Sequence, residues 1–144
     1  MPKNVPTYTI GRVLQAATSI VLERLRDSHI LYQWKQRDDD KLPDFMVVDN
    51  RWRTWELECK NWQTYKKPTR ITWMFDKNFS AFLRILITGA PLNLTPAVRE
   101  FVSVFYTDTV TLGDQVTDSN VGTMIDLLYD KLKDCFERHG TQSE

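Results

Sequence analysis

Asp44, Glu56, Glu58 and Lys60 fall in one short stretch, Pro43 to Lys60 (PDFMVVDNRWRTWELECK). Trp52 to Lys60 reads as a β-strand, and a strand sends alternate side chains to opposite faces. Glu56, Glu58 and Lys60 then share one face. Asp44 joins them only if the strand before it, Phe45 to Val48, returns in a suitable register. A two-residue loop at Asn50-Arg51 sets Asp44 opposite Leu57 and points it away. A three-residue loop, Asp49 to Arg51, or a bulge sets it opposite Glu56 and diagonal to Glu58, and that odd-length arrangement is expected. Carboxylates brought together in this way repel by about 4 kcal/mol per pair at roughly 4 Å and an effective dielectric near 20. A divalent cation removes the conflict. Oxygen ligands beside a lysine suit Mg²⁺ or Mn²⁺, hard ions that keep waters and bridge to phosphate oxygens. Such an ion lowers the pKa of a bound water, and the lysine holds that water or steadies charge developing on a phosphate. Phosphodiester hydrolysis is the chemistry this set suits.

The elements around the stretch must hold it in place. Thr9 is placed to cap a first helix whose apolar positions Ile10, Val13, Leu14, Ala17, Val21 and Leu25 recur at three- and four-residue steps up to about Asp27. His29 to Trp34 (HILYQW) is rich in β-formers and precedes the polar run QRDDDKLP, so a strand and then a loop are expected. After the hairpin, Asn61 to Thr72 reads as a basic loop, and Asp76 as the cap of a helix carrying Phe79, Phe82, Leu83, Leu86 and Ile87 on one face, ended by Gly89 and Pro91. Phe101 to Tyr106 (FVSVFY) reads as a strand pairing through Thr107-Asp108 with Val110 to Leu112. A last helix opens at Asp118 to Asn120, with an apolar stripe of Val121, Met124, Ile125, Leu128, Leu132, Cys135 and Phe136. The expected order is α-β-β-β-α-β with an extra strand and a closing helix, a mixed central sheet flanked by helices in an α/β fold.

A chain of 144 residues is one domain's worth, residues 1–144, and 42% hydrophobic with 26% charged residues excludes a disordered or fibrous chain. No apolar run is long enough for a membrane span and the first residues lack the apolar core of a signal peptide, so a soluble, cytoplasmic protein with no membrane partner is expected. Two cysteines, Cys59 and Cys135, with two histidines, His29 and His139, cannot supply a Cys-rich zinc or disulfide framework at recognisable spacing. Net charge is zero, but residues 1–98 hold 15 Lys/Arg against 10 Asp/Glu and residues 99–144 hold 4 against 9. That split leaves room for a basic face.

Pro43-Asp44 followed, fourteen residues after the aspartate, by Glu58-Cys59-Lys60 resembles the signature of the PD-(D/E)XK nuclease superfamily, which includes restriction enzymes and archaeal Holliday-junction resolvases. LERLRDSHILYQW, then LPDFMVVDNRWRTWELECKNW, is similar to the corresponding stretch of the archaeal resolvases, over roughly residues 10 to 88. The resemblance implies a restriction-endonuclease-like α-β-β-β-α-β core and a metal-dependent DNA endonuclease, selective for branched DNA or junctions and working as a homodimer. It implies that Asp44 and Glu58 ligate Mg²⁺ or Mn²⁺ together with the backbone carbonyl of Cys59, and that Lys60 positions the attacking water. Resolvases carry a further metal-associated glutamate early in the first helix, where this chain has Thr18. Glu23, more than a turn later, is the candidate accessory acid, and Glu56 is a second.

Lys66, Lys67 and Arg70 in the loop after the motif, with Lys77, are placed to neutralise DNA phosphates flanking a metal site. All five tryptophans lie between Trp34 and Trp73; Trp34, Trp55 and Trp73 read as core, and Trp62 as the exposed ring. Cys59 should point to the core face, opposite the carboxylates. Two rival readings stand beside the nuclease: a catalytically inactive protein of the same fold that acts in nucleic-acid binding or assembly, and a plain interaction domain.

Overall fold

The computed structural model describes residues 7–39, 41–61, 78–91 and 94–140. Helix α1 (Thr7–Asp27) is followed by strands β1 (Leu31–Gln36), β2 (Phe45–Asp49), β3 (Thr54–Lys60) and β4 (Leu83–Thr88), helix α2 (Pro96–Phe105), strand β5 (Asp108–Thr111) and helix α3 (Val121–Gly140). The strands form one mixed sheet in the order β1-β2-β3-β4-β5. The β1–β2 and β2–β3 pairs are antiparallel, and β3–β4 and β4–β5 are parallel. Among the described residues no helix is long and apolar enough to cross a membrane.

The pleat divides the sheet into two faces. Phe45, Val47, Trp55, Leu57, Cys59, Ile85, Ile87 and Val110 lie on one, packed against Leu14, Val21, Leu22 and Leu25 of α1 and Leu128, Leu132 and Phe136 of α3. Leu86, between Ile85 and Ile87, points the other way and meets Val102 and Tyr106 at the end of α2. The sheet is thus covered by α1 and α3 on one side and by α2 on the other. Helix α1 begins by Thr7, so Thr9 lies within it rather than at its cap. It ends in a Schellman motif: Ile30 N–H donates to the Leu25 carbonyl and His29 N–H to that of Arg26, with His29 at φ 64°.

Two expected elements exchange type. The segment expected as a helix from Asp76 is a strand over Leu83–Thr88, buried through Ile85 to Thr88. Its apolar run satisfies a helical face as well as a strand buried on both sides, and the parallel edge of β3 decides the matter. Phe82, expected on the helix's apolar face, is 96% exposed. Conversely, Phe101 to Tyr106 closes helix α2 instead of forming a strand. Thr95 caps that helix, its Oγ1 accepting from Val98 N–H, and Pro96 opens it. The Thr-Pro start outweighs the β-propensity of FVSVFY. Among the described residues, then, a fourth strand follows β3 and the helix comes one element later than expected. Asp76 lies outside the described residues.

Candidate active site

Strand pairing brings the sequence-predicted acids together, in a register of its own. Val48 pairs with Thr54, Val47 with Trp55, Met46 with Glu56 and Phe45 with Leu57, which puts Asp44 beside Glu58 rather than beside Glu56 as expected. The stretch between the paired Val48 and Thr54 is odd-length, as the argument from facing required, but it holds the five residues Asp49 to Arg53. Asp49 is its organiser. Asp49 Oδ1 accepts the N–H groups of Arg51 and Arg53, and Oδ2 accepts Arg53 Nε at 2.8 Å and Trp55 Nε1 at 2.9 Å. These bonds wind Trp52, expected in the strand, into the turn at φ 68°.

At the other end of the hairpin, Asp44 Oδ2 accepts the Cys59 N–H at 2.8 Å, and Oδ1 accepts Gln15 Nε2 of α1 at 3.2 Å. Glu58 Oε1 accepts the Asp44 N–H at 3.3 Å, and Glu58 Oε2 lies 3.4 Å from the Lys60 ammonium. Asp44 and Glu58 are both buried, 8% and 2% exposed, while the Lys60 side chain is 18% exposed. Cys59 faces the core as expected, 3.5 Å from Thr18 Oγ1. Burial, and after it the charge of Asp44, pushes the Cys59 thiol well above its ordinary range, so it is neutral at physiological pH. Tyr106 carries the same imprint: burial first and the Glu58 charge second push its hydroxyl upward.

The end of β3 is braced from both sides. Asn61, next to Lys60, donates from Nδ2 to the carbonyls of Ile10 and Val116 and accepts the Val116 N–H on Oδ1. Gly89 is required beside it, since a Cβ there would lie 2.5 Å from Asn61 Oδ1 and 2.9 Å from the Asp114 carbonyl oxygen.

The other two candidate acids have different partners. Glu23 accepts Trp34 Nε1 at 3.0 Å and Arg26 Nη2 at 3.1 Å. Glu56, fully buried, accepts Arg37 Nη1 at 2.6 Å and the N–H groups of Ser80 and Ala81 at 2.6 and 2.8 Å. Burial opposes its charge, but the Ala81 N–H, Arg37 and the Ser80 N–H outweigh burial and hold its pKa below the ordinary glutamate value. Glu56 thus ties β3 to the residues leading into β4. Lys66, Lys67, Arg70 and Lys77, with Trp62 and Trp73, lie outside the described residues. Gln15, Asn61 and Tyr106 were not anticipated as site neighbours. The resemblance points to an acid in helix α1, and an amide three residues before Thr18 carries no such signal in the sequence.

Among the described residues there is no group of three or more His, Cys, Asp or Glu side chains that could hold a metal ion. Asp44 and Glu58 offer the smaller set that suits Mg²⁺, a hard ion that one or two carboxylates bind while waters complete its octahedron. All side-chain donors in that set are oxygen, which argues against zinc.

Comparison with family models, curated proteins and solved structures finds no match to this chain.

Proposed function

We propose that this protein is a metal-dependent endonuclease that hydrolyses DNA phosphodiester bonds, with Asp44, Glu58 and Lys60 as its working groups. The observation that carries the reading is the register of β2 on β3, which sets Asp44 beside Glu58 and leaves Lys60 on the same face, at a strand end braced by Asn61. Two carboxylates and a lysine at the end of a central strand suit water activation at a phosphate. The run α1-β1-β2-β3, with β4 parallel to β3, is in keeping with a restriction-endonuclease-like core, to which the Pro43-Asp44 and Glu58-Cys59-Lys60 motif also points.

In this reading Asp44, Glu58 and the Cys59 carbonyl hold Mg²⁺ or Mn²⁺, which when bound supplies a water of lowered pKa and a Lewis acid for a phosphate oxygen. The chain's own groups do the positioning. Gln15 Nε2 and the Cys59 N–H each fix one oxygen of Asp44, so its carboxylate is oriented before any ligand arrives. Lys60, held now by Glu58, supplies the cation that steadies the attacking water or the charge growing on the phosphate. Branched DNA as the preferred substrate, and pairing of two copies to cut two strands, follow from the resemblance and belong to the same proposal.

A second reading has its own support. Helix α1 presents an amide, Gln15, to Asp44 where a third acid would strengthen a metal site, and that favours a nuclease-fold protein that binds nucleic acid without turnover. Cleavage of linear duplex, single-stranded, flap and four-way-junction DNA in Mg²⁺, Mn²⁺ or EDTA separates the two. The nuclease predicts metal-dependent cutting that Asp44→Asn and Glu58→Gln each reduce by at least about 100-fold, a few kcal/mol of transition-state stabilisation, with folding retained. Undiminished cutting by either variant overturns the site assignment, and binding without cutting by the wild type establishes the second reading.

A further inference from the structure

At the end of the hairpin opposite the candidate site, two aromatic rings meet in the open. Tyr32 of β1 and Trp52 of the β2–β3 turn have ring centroids 4.4 Å apart at an interplanar angle of 46°. They are 54% and 70% exposed, whereas Trp55, three residues on, is fully buried. Burial in the protein therefore does not account for the position of Trp52. Its backbone is costly as well, because a bulky side chain at φ 68° is rare and persists only where the surroundings over-determine it. Here they do: Trp52 N–H donates to the Asp49 carbonyl, and the Asp49 side chain holds Arg51, Arg53 and Trp55 around it. The ring is presented on a rigid support.

The charge of this turn selects among partners. Its one acid, Asp49, is 2% exposed and engaged by those four inward bonds, while Arg51 is exposed. The outward charge is cationic beside a bare π-surface, which suits a phosphate backbone whose unpaired base stacks on a ring. We propose that Tyr32 and Trp52 form a stacking platform for an unpaired base of single-stranded or branched nucleic acid, with Arg51 contacting the adjacent phosphate. This rests on the nucleic-acid reading above and extends it to a second contact point. Thr54 to Lys60 spans roughly 20 Å at about 3.3 Å per residue.

The test is fluorescence anisotropy of labelled oligonucleotides of about 20 nucleotides, single-stranded and forked, in EDTA, alongside cleavage in Mn²⁺. The proteins are the wild type, Trp52→Ala, Trp52→Gly, Tyr32→Ala and Trp52→Phe. Glycine adopts φ 68° without strain, so Trp52→Gly removes the ring while relaxing the turn. The expected result is binding weakened about tenfold or more in the ring-deleted variants and largely kept in Trp52→Phe, as loss of one stacked base predicts. Equal affinity in the wild type and the ring variants, with metal-dependent cutting by the wild type, overturns the platform and leaves the nuclease standing. The expected binding pattern with no cutting by any protein supports the platform and overturns the nuclease. No binding of any oligonucleotide by the wild type overturns the platform, as does wild-type self-association in light scattering that Trp52→Ala abolishes without a change in oligonucleotide affinity.

Discussion

Glu56→Gln separates a structural acid from a catalytic one. The carboxylate accepts the Ser80 and Ala81 N–H groups on Oε1, and Arg37 Nη1 at 2.6 Å on Oε2. A glutamine amide keeps the first oxygen, so both backbone bonds survive, but its NH₂ then faces the Arg37 donor. Deleting one partner of a buried ion pair costs about 3–5 kcal/mol. Since the Arg37 side chain is 15% exposed and keeps some water, the lower end applies, about 3 kcal/mol. With about 2.1 cal/mol/K of unfolding entropy per residue, that lowers Tm by roughly 10 °C. The pH dependence carries a sign. The folded pKa lies below the ordinary 4.5, so the wild type's advantage from this charge is complete above that value and is lost as pH falls through it to the lower folded pKa. Urea unfolding of both proteins at pH 7 and at decreasing pH measures the gap. A cost under about 1 kcal/mol, or a gap that does not narrow in acid, refutes this account. Lost cleavage with unchanged stability would instead make Glu56 a site acid.

Asn61→Ala removes three side-chain hydrogen bonds and strands the buried Val116 N–H; a loss of about 2–3 kcal/mol in urea unfolding is expected, together with reduced cleavage because Lys60 is its neighbour. The native thiols should resist alkylation. Cys135 is 2% exposed and pushed up to about 12, by burial first and Asp108 second, and Cys59 is shifted the same way. Labelling of Cys135 at pH 8 should therefore be about 1000-fold slower than in urea-unfolded protein, Cys59 should be slowed as well, and labelling at the unfolded rate would contradict the burial of both.

Much of the hairpin is readable from residue types, because a period of two fixes which side chains share a face whatever the loop does. Glu56, Glu58 and Lys60 needed only that rule. The position of Asp44 needed the loop length, which the Asp49 side chain sets by gathering donors from Arg51, Arg53 and Trp55, and that is a tertiary fact. Residues 83–88 satisfy both periods, so their state waits on an edge supplied by β3. Helix α2 was legible in its cap, Thr95-Pro96, and was obscured by the β-branched and aromatic residues behind it. Gln15 and Asn61 act across long sequence separations, which no local pattern records. Strand pairing itself creates the meeting of Asp44 with Glu58, whereas the division of labour among the acids comes from their partners: Arg37 engages Glu56, and Trp34 and Arg26 engage Glu23.

The Asn61 brace also sets an order of events. It joins the end of β3 to Ile10, 51 residues back, and to Val116, 55 residues ahead. While the chain is being synthesised, Asp44, Glu58 and Lys60 leave the ribosome well before Val116 does. The acids can therefore pair while the clamp on their strand is still only half made. Gly89 adds to the delay, because the close approach it permits involves the Asp114 carbonyl as well as Asn61. A nascent chain of this protein carries Asp44, Glu58 and Lys60 early and acquires their fixed geometry late, once the loop at residues 113–116 has docked.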